Sequence, residues 1–385
     1  MKDLYLVTMK STDGSTFAIN DINEISKYFN NIYIIPLMKD LIFKNKPVYK
    51  NNVTIIRNIP KNINFSDSIH ILKKFFQLIF VIFFSKDKIL DKIKQIILLP
   101  KSLLISNYIN RNQPDNVHLF WGHFPSLVIL GLKKNITSKI SIFMGAYDLR
   151  KKLLVTKLAA QRSDFIFTHV KKNINLIKNF TLKENNINCI YRGVNFNEFK
   201  GIELSNKKKF SFCTIGLLEK HKKIDQIINV FYEIKKKYIN STLTIIGTGS
   251  LEKNLKKKVD QLKLNDSIKF TGWISREEVA AIFLKTQFYL HFSNVEALSN
   301  SIKEAMYTKC FCLSAKTFGL DELLKDKKTG FVIDPNDISQ ILNIIDFCLH
   351  SDNKDLNELL NNAQSHIINN FDLQKSIKLF CNTIT

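Results

Sequence analysis

The chain has 385 residues, 45 % of them apolar and 24 % charged, which excludes wholesale disorder and gives enough length for two domains, each with its own core. Its 57 basic and 34 acidic residues leave +23, and residues 1–200 hold 31 of the basic against 13 of the acidic ones, so the excess sits in the first half. Such a face suits an anionic membrane or a phosphorylated ligand, but only six of the basic residues are arginines and no aromatic–basic stripe or helix-turn-helix pattern appears, so no nucleic-acid partner is expected.

Apolar, β-branched runs alternate with amphipathic stretches, the pattern of βαβ units and parallel sheets. Strands are predicted at 4–9, 31–36, 53–57, 117–121, 139–144, 164–168 and 187–191, then at 211–215, 242–246, 267–271, 287–292, 310–314 and 331–333. First-half helices are predicted at 22–29 and 151–162, and second-half helices at 223–237, 250–261, 277–285, 300–308, 338–349 and 355–369. The polar stretch 201–209 follows the turn Arg192-Gly193-Val194-Asn195 and is assigned as a linker. This divides the chain into an acceptor-binding domain, 1–200, and a second domain, 210–371. Both are doubly wound α/β sheets, which bind ligands at the carboxyl ends of their strands and are expected to face a central cleft. Residues 372–385, apolar at Leu373, Ile377, Leu379 and Phe380, are predicted to form a helix that packs back on the first domain.

No run reaches the ~20 apolar residues that span a bilayer. The nearest is 75–84, broken only by Gln77 and flanked by Lys73, Lys74, Lys86 and Lys88. It fits a buried helix or an interfacial one on anionic lipid equally well. A strand-like run starts at Leu4, so no secretory leader is expected. The six cysteines show no C-x-x-C and no zinc spacing, and are read as reduced core thiols of a cytoplasmic protein.

The segment 293–306, Ser-Asn-Val-Glu-Ala-Leu-Ser-Asn-Ser-Ile-Lys-Glu-Ala-Met, carries the most chemistry. Glu296 closes a strand and its loop, and Glu304 lies eight residues on, inside the next helix. Ser299 is a natural N-cap, and with Asn300 and Ser301 it opens a helix whose free N–H groups suit a diphosphate. The two carboxylates then frame that diphosphate as hydroxyl acceptors; an ordinary capped helix fits the segment alone as well. Gly216 follows the first strand of the second half, with Lys222 or Lys223 placed to neutralise phosphate. Gly247 and Gly249 make a strand-to-helix turn. Trp273 and Ile274 end another strand at the same edge, where Trp273 either stacks on a base or packs.

In this order, G-x-L-x-x-x-K at 216–222, I-I-G-x-G at 245–249, F-x-G-W at 270–273 and E-x7-E followed by A-M at 296–306 resemble the second domain of the retaining nucleotide-sugar glycosyltransferases of family 4, which have the GT-B fold. The first half resembles that family's acceptor domain more loosely, through Gly14 in the loop 13–17, Trp121-Gly122-His123, Gly145-Ala-Tyr-Asp148 and Arg192-Gly193-Val194-Asn195 with Phe199; an insert near 60–110 matches poorly. The resemblance implies two Rossmann-like domains and a UDP- or GDP-sugar donor. The base would lie near Trp273 and Ile274, and the ribose hydroxyls on Glu304. The diphosphate would rest on Lys222 and the backbone at 297–300, and the transferred sugar on Glu296. Gly14, Gly216 and Gly247 are counted with the donor site.

Three departures stand out. Leu217 replaces a customary arginine, Ala297 a glycine and Met144 a histidine that lines the reaction centre, for which His123 or Asp148 is the nearest candidate. No Asp-x-Asp element ends a strand of the second domain, so metal-independent transfer is expected, with no cofactor beyond the donor. The expectation is a retaining hexosyltransferase acting on a glycan or lipid-linked hydroxyl in surface polysaccharide or lipopolysaccharide synthesis, peripheral at the inner membrane face. The rival is a non-catalytic binding protein of the same fold.

Overall fold

The computed structural model describes residues 2–10, 16–38, 48–59, 63–199, 207–296, 298–350 and 353–385. The chain divides into two compact units, Met1–Tyr191 with Gln374–Thr385, and Arg192–Leu373. The division thus falls at Arg192, within the turn ahead of the assigned linker. Residues 200–206 of that linker region lie outside the described residues.

In the first unit, β1 (Leu4–Thr8), β2 (Ile32–Pro36), β3 (Val53–Ile55), β4 (Asn116–Leu119), β5 (Lys139–Phe143), β6 (Phe165–Thr168) and β7 (Ile187–Cys189) pair in the order 3-2-1-4-5-6-7. Every pairing is parallel. All five residues of β1 are buried, because helices cover both faces of a parallel sheet and a central strand meets no water. In the second unit, β8 (Ser211–Ile215), β9 (Thr242–Ile246), β10 (Ile268–Gly272), β11 (Phe288–His291), β12 (Phe311–Ala315) and β13 (Phe331–Ile333) pair in the order 10-9-8-11-12-13, again all parallel. The architecture is a pair of doubly wound, Rossmann-like units, and the strands fall where the apolar runs predict them.

Two first-half helices differ from expectation. The predicted helix 22–29 is Thr16–Ile25 followed by a 3-10 turn, Ser26–Tyr28. The predicted helix 151–162 is two, Ala146–Lys151 and Leu154–Arg162. Lys152 sits between them at φ 51° and donates its N–H to Asp148 O at 2.8 Å, so a left-handed residue closes the first helix. The poorly matched insert forms two long helices, Phe65–Phe84 and Ile89–Asn112.

The last helix, Leu373–Ile384, belongs from Gln374 onward to the first unit. There Phe380 meets His118 and Phe167 edge-on at 4.9 Å each, and Lys139 donates to Thr385 O at 3.1 Å. Gly193 marks a close approach within the second unit. Val194 N donates to Phe371 O at 2.7 Å, and a side chain at 193 would lie 2.2 Å from Leu373 N. All six cysteines are thiols outside any disulfide, all but Cys189 are buried, and burial pushes Cys348 and Cys381 up to about 12.

Candidate active site

Strand order reverses in the second sheet at β8 and β11, and the crevice outside the carboxyl ends of two such strands is where open α/β sheets bind ligands. Here β8 runs into Gly216 and the 3-10 turn Lys220–Lys222, while β11 runs into Ser293–Glu296. The N–H of Asn294 donates to His221 O at 3.3 Å and ties the two segments together.

Between these segments stands Glu296. Its Oε1 accepts from Lys222 Nζ, and its Oε2 lies 2.5 Å from His291 Nε2. The other ring nitrogen of His291, Nδ1, lies 3.2 Å from Ser314 Oγ on the neighbouring strand. Burial alone would raise the Glu296 pKa, but the hydrogen bond and charge of His291 and the charge of Lys222 outweigh it and hold the carboxyl at about 2. Glu296 is therefore an ionised, pure hydrogen-bond acceptor near neutral pH.

The glycines of the β9 turn serve the backbone around this centre. Gly247 has φ 130°, and a Cβ there would sit 2.0 Å from Gly216 O; one at Gly249 would sit 2.5 Å from Leu218 O. Both answer to the adjacent 216–218 turn, which is the packing reason for glycine at these two positions. At Gly216 an added Cβ would meet only the Lys222 stem, at 3.4 Å, so the lysine lies across the glycine.

Helix Asn300–Tyr307 follows. Ser299 occupies its N-cap position with extended backbone, but its hydroxyl caps nothing. It lies 2.9 Å from Ser301 Oγ, which Tyr289 OH reaches at 2.6 Å. The capping expected of Ser299 is thus absent, and the first-turn N–H groups keep no help from that hydroxyl. The Asn300 side chain is engaged too, accepting from the buried Lys303 Nζ at 3.0 Å, which also donates to Arg192 O at 2.6 Å.

Glu304 is buried and accepts from Arg276 Nη2 at 2.5 Å. The same guanidinium holds Glu198 Oε2 at 2.8 Å through Nη2 and 3.0 Å through Nε. Burial pushes the Glu304 carboxyl up, against the pull of Arg276. Trp273 is 72 % exposed, so it is a ring open to solvent and not a packed one; Ile274 is half-buried. Ala297 and Gly14 lie outside the described residues.

The first unit brings its two candidates together. Asp148 is buried, accepts from Gly145 N at 2.8 Å through Oδ2, and stands 3.2 Å from His123 Nδ1 through Oδ1. Met144 is fully buried in the core. Sequence reasoning missed His291, Arg276 and Glu198. The signal for Arg276 was its rarity, since it is one of six arginines in a lysine-rich chain. Among the described residues no three His, Cys, Asp or Glu side chains gather as a metal site.

Two parallel-sheet units with a charged, glycine-turned site at the switch point of the second define a GT-B fold. The model of the family described as glycosyl transferases group 1 matches residues 195–366 of this chain. An uncharacterized glycosyltransferase of Methanocaldococcus jannaschii is 28 % identical over 256 residues, 64 % of this chain, and the match spans only 63 % of that protein's length. The UDP-Gal:alpha-D-GlcNAc-diphosphoundecaprenol alpha-1,3-galactosyltransferase of Escherichia coli is 27 % identical over 36 % of this chain and 35 % of its own. HepE of Anabaena, solved with UDP and glucose, superposes with a TM-score of 0.69 over 100 % of this chain and 99 % of its own at 15 % identity, a likeness of fold.

Proposed function

We propose that this protein is a retaining glycosyltransferase that moves a hexose from a UDP- or GDP-sugar to a hydroxyl of a glycan or lipid-linked acceptor, in the synthesis of surface polysaccharide or lipopolysaccharide. The observation that carries the reading is Glu296, ionised and held between Lys222 and His291 beside the switch point of the second sheet. The glycosyl transferases group 1 match over 195–366 supports it, as do the UDP and glucose bound by HepE. The diphosphoundecaprenol-linked acceptor in the name of the Escherichia coli relative supports the lipid-linked acceptor.

In this reading Glu296 accepts from hydroxyls of the transferred sugar. Lys222, already at that carboxylate, meets the negative charge that grows on the diphosphate as the glycosidic bond breaks, with the first turn of helix Asn300–Tyr307 supplying N–H donors. Donors already in place where charge develops lower the barrier directly. Lys222 takes the role a divalent cation fills elsewhere. Glu304, steadied by Arg276, accepts from the ribose, and the open Trp273 ring offers a face to the base. On the acceptor side, His123 and Asp148 form a hydrogen-bonded pair able to position a hydroxyl.

The test is a screen of UDP- and GDP-sugars for slow hydrolysis, with the anomeric configuration of the released sugar followed by NMR. Release with retention from one donor supports the reading, and loss of that activity in Glu296→Gln links it to the site. Met144, buried where the family resemblance implies a histidine, favours a second reading: a non-catalytic protein that binds nucleotide sugars. Thermal protection by UDP or GDP without turnover of any donor selects that one.

A further inference from the structure

The helices Phe65–Phe84 and Ile89–Asn112 of the first unit carry apolar side chains on their outward faces as well as their inward ones. On the first, Phe65, Ile69, Leu72, Phe76, Phe80 and Phe83 recur at spacings of three and four, lie on one stripe, and are 54–83 % exposed. On the second, Ile89, Leu90, Ile93 and Ile97 are 48–75 % exposed. The carboxylates face inward instead. Asp67 is 3 % exposed and paired with Arg111 at 2.6 Å and Lys133 at 3.3 Å, and Asp91 is 2 % exposed and paired with Lys151 at 2.8 Å. Asp87, in the connection, is half-buried and accepts from Gln95 and from Leu154 N. A helix on the surface of a soluble domain shows the reverse polarity.

The inward faces of both helices are already used, with Leu78, Ile82, Leu99 and Leu103 in the core. The outward stripe lies outside that core, and an exposed apolar patch of this kind marks an interaction surface. Its rim is cationic: Lys73, Lys86, Lys88 and Lys94 are exposed, and no carboxylate on these helices is. Beside the stripe runs an open groove of about 730 Å³ whose apolar wall includes Phe76, Phe80 and Val81, and whose margin holds Lys74, Lys134 and Arg162 without an acidic residue. A second copy of the chain would set one lysine rim against another. Anionic headgroups answer the lysines, and the interfacial layer beneath them answers the phenylalanines. No described helix is long and apolar enough to cross a membrane.

We infer that the helical hairpin 65–112 docks this protein on an anionic lipid bilayer, its apolar stripe lying in the interface and its lysines at the headgroups. This deepens the proposed function by naming the surface that meets the membrane of a lipid-linked acceptor, yet it stands on the exposed face and needs no turnover to be tested. The full chain is sedimented with phosphatidylcholine vesicles with and without phosphatidylglycerol. Binding is expected only to the anionic vesicles, weaker at high salt, and the variant Phe76→Glu/Phe80→Glu should partition at least about tenfold less with an unchanged melting temperature. Should that variant fail to fold, Lys73→Glu/Lys94→Glu reads the same face through charge. Failure to bind, equal binding to neutral vesicles, or binding unaltered by the substitutions overturns the inference. So does a concentration-dependent dimer that the variant abolishes in the absence of vesicle binding. UDP and GDP thermal shifts on the same preparations report on the glycosyltransferase reading separately. Nucleotide protection without vesicle binding ends the docking surface alone, and vesicle binding without nucleotide protection ends the enzymatic reading alone.

Discussion

Arg276 Nη2 lies 2.5 Å from Glu304 Oε1, and the other carboxylate on that guanidinium, Glu198, leaves Arg276 bridging two acids. The three side chains are 33 %, 5 % and 11 % exposed for Arg276, Glu304 and Glu198. Arg276→Met therefore leaves two carboxylates largely buried together, and removing one partner of such a pair costs about 3 kcal/mol. Urea denaturation at neutral pH is expected to show that loss, and Glu198→Gln added to Arg276→Met should recover part of it. A simple sum of the two effects would count against the shared bridge.

The same site has a pH signature with a definite sign. Burial raises the Glu304 carboxyl above the ordinary value of 4.5, so its folded form holds a proton that the unfolded chain has lost. Stability from this group is full below the ordinary value and is lost as pH rises through the raised one. Without Arg276 the carboxyl rises further. The stability deficit of Arg276→Met should thus shrink on acidification toward pH ~5, as urea titrations at a series of pH values would show.

Glu296 behaves in the opposite sense. Its carboxyl is lowered from 4.5 to about 2, so its contribution is present above the ordinary value and disappears as pH falls between the two. The wild type is expected to lose about 2–3 kcal/mol more than Glu296→Gln over that interval. Paired melting curves across the acid range check it; parallel curves would mean that His291 and Lys222 do not hold the charge.

In the proposed reading, Lys222 is the cation that meets the leaving diphosphate. Lys222→Met should lower turnover about 10²–10³-fold with a smaller change in donor affinity, as loss of a transition-state donor does. Turnover of the wild type should survive EDTA. Steady-state kinetics with the donor identified by hydrolysis would decide both points.

Gly247 tests backbone packing in place of chemistry. With φ 130° and Gly216 O 2.0 Å from an added Cβ, Gly247→Ala should destabilise the second unit by more than ~1 kcal/mol. Thermal melting reads it directly, and an unchanged melting temperature would refute the close approach.

The strands were legible because buried parallel strands are continuous apolar runs: Leu4–Thr8 and Phe311–Ala315 are buried at every residue. Glu296 and Lys222 were each legible as candidates because both follow strand ends at the edge where open α/β sheets bind ligands, but their contact with each other came from the structure. The break at Lys152 was not, since a left-handed residue that is not glycine leaves no mark in the apolar pattern. Nor was the engagement of the Ser299 hydroxyl with Ser301, which Tyr289 also reaches from the preceding strand.

What the residues determined alone was local: where strands begin and end, which loops carry glycine, and that two glutamates eight apart flank a helix start. Which groups confront each other came from tertiary structure. Glu304 finds Arg276, 28 positions earlier, and Glu198 lies 78 positions before that arginine, so neither contact has a local periodicity. The helix Phe65–Phe84 makes the same point in packing. It is apolar on both sides, so spacing could not say which stripe joins the core. The helices it packs against, Ile89–Asn112 foremost, took Leu78 and Ile82, and left Phe76 and Phe80 outside.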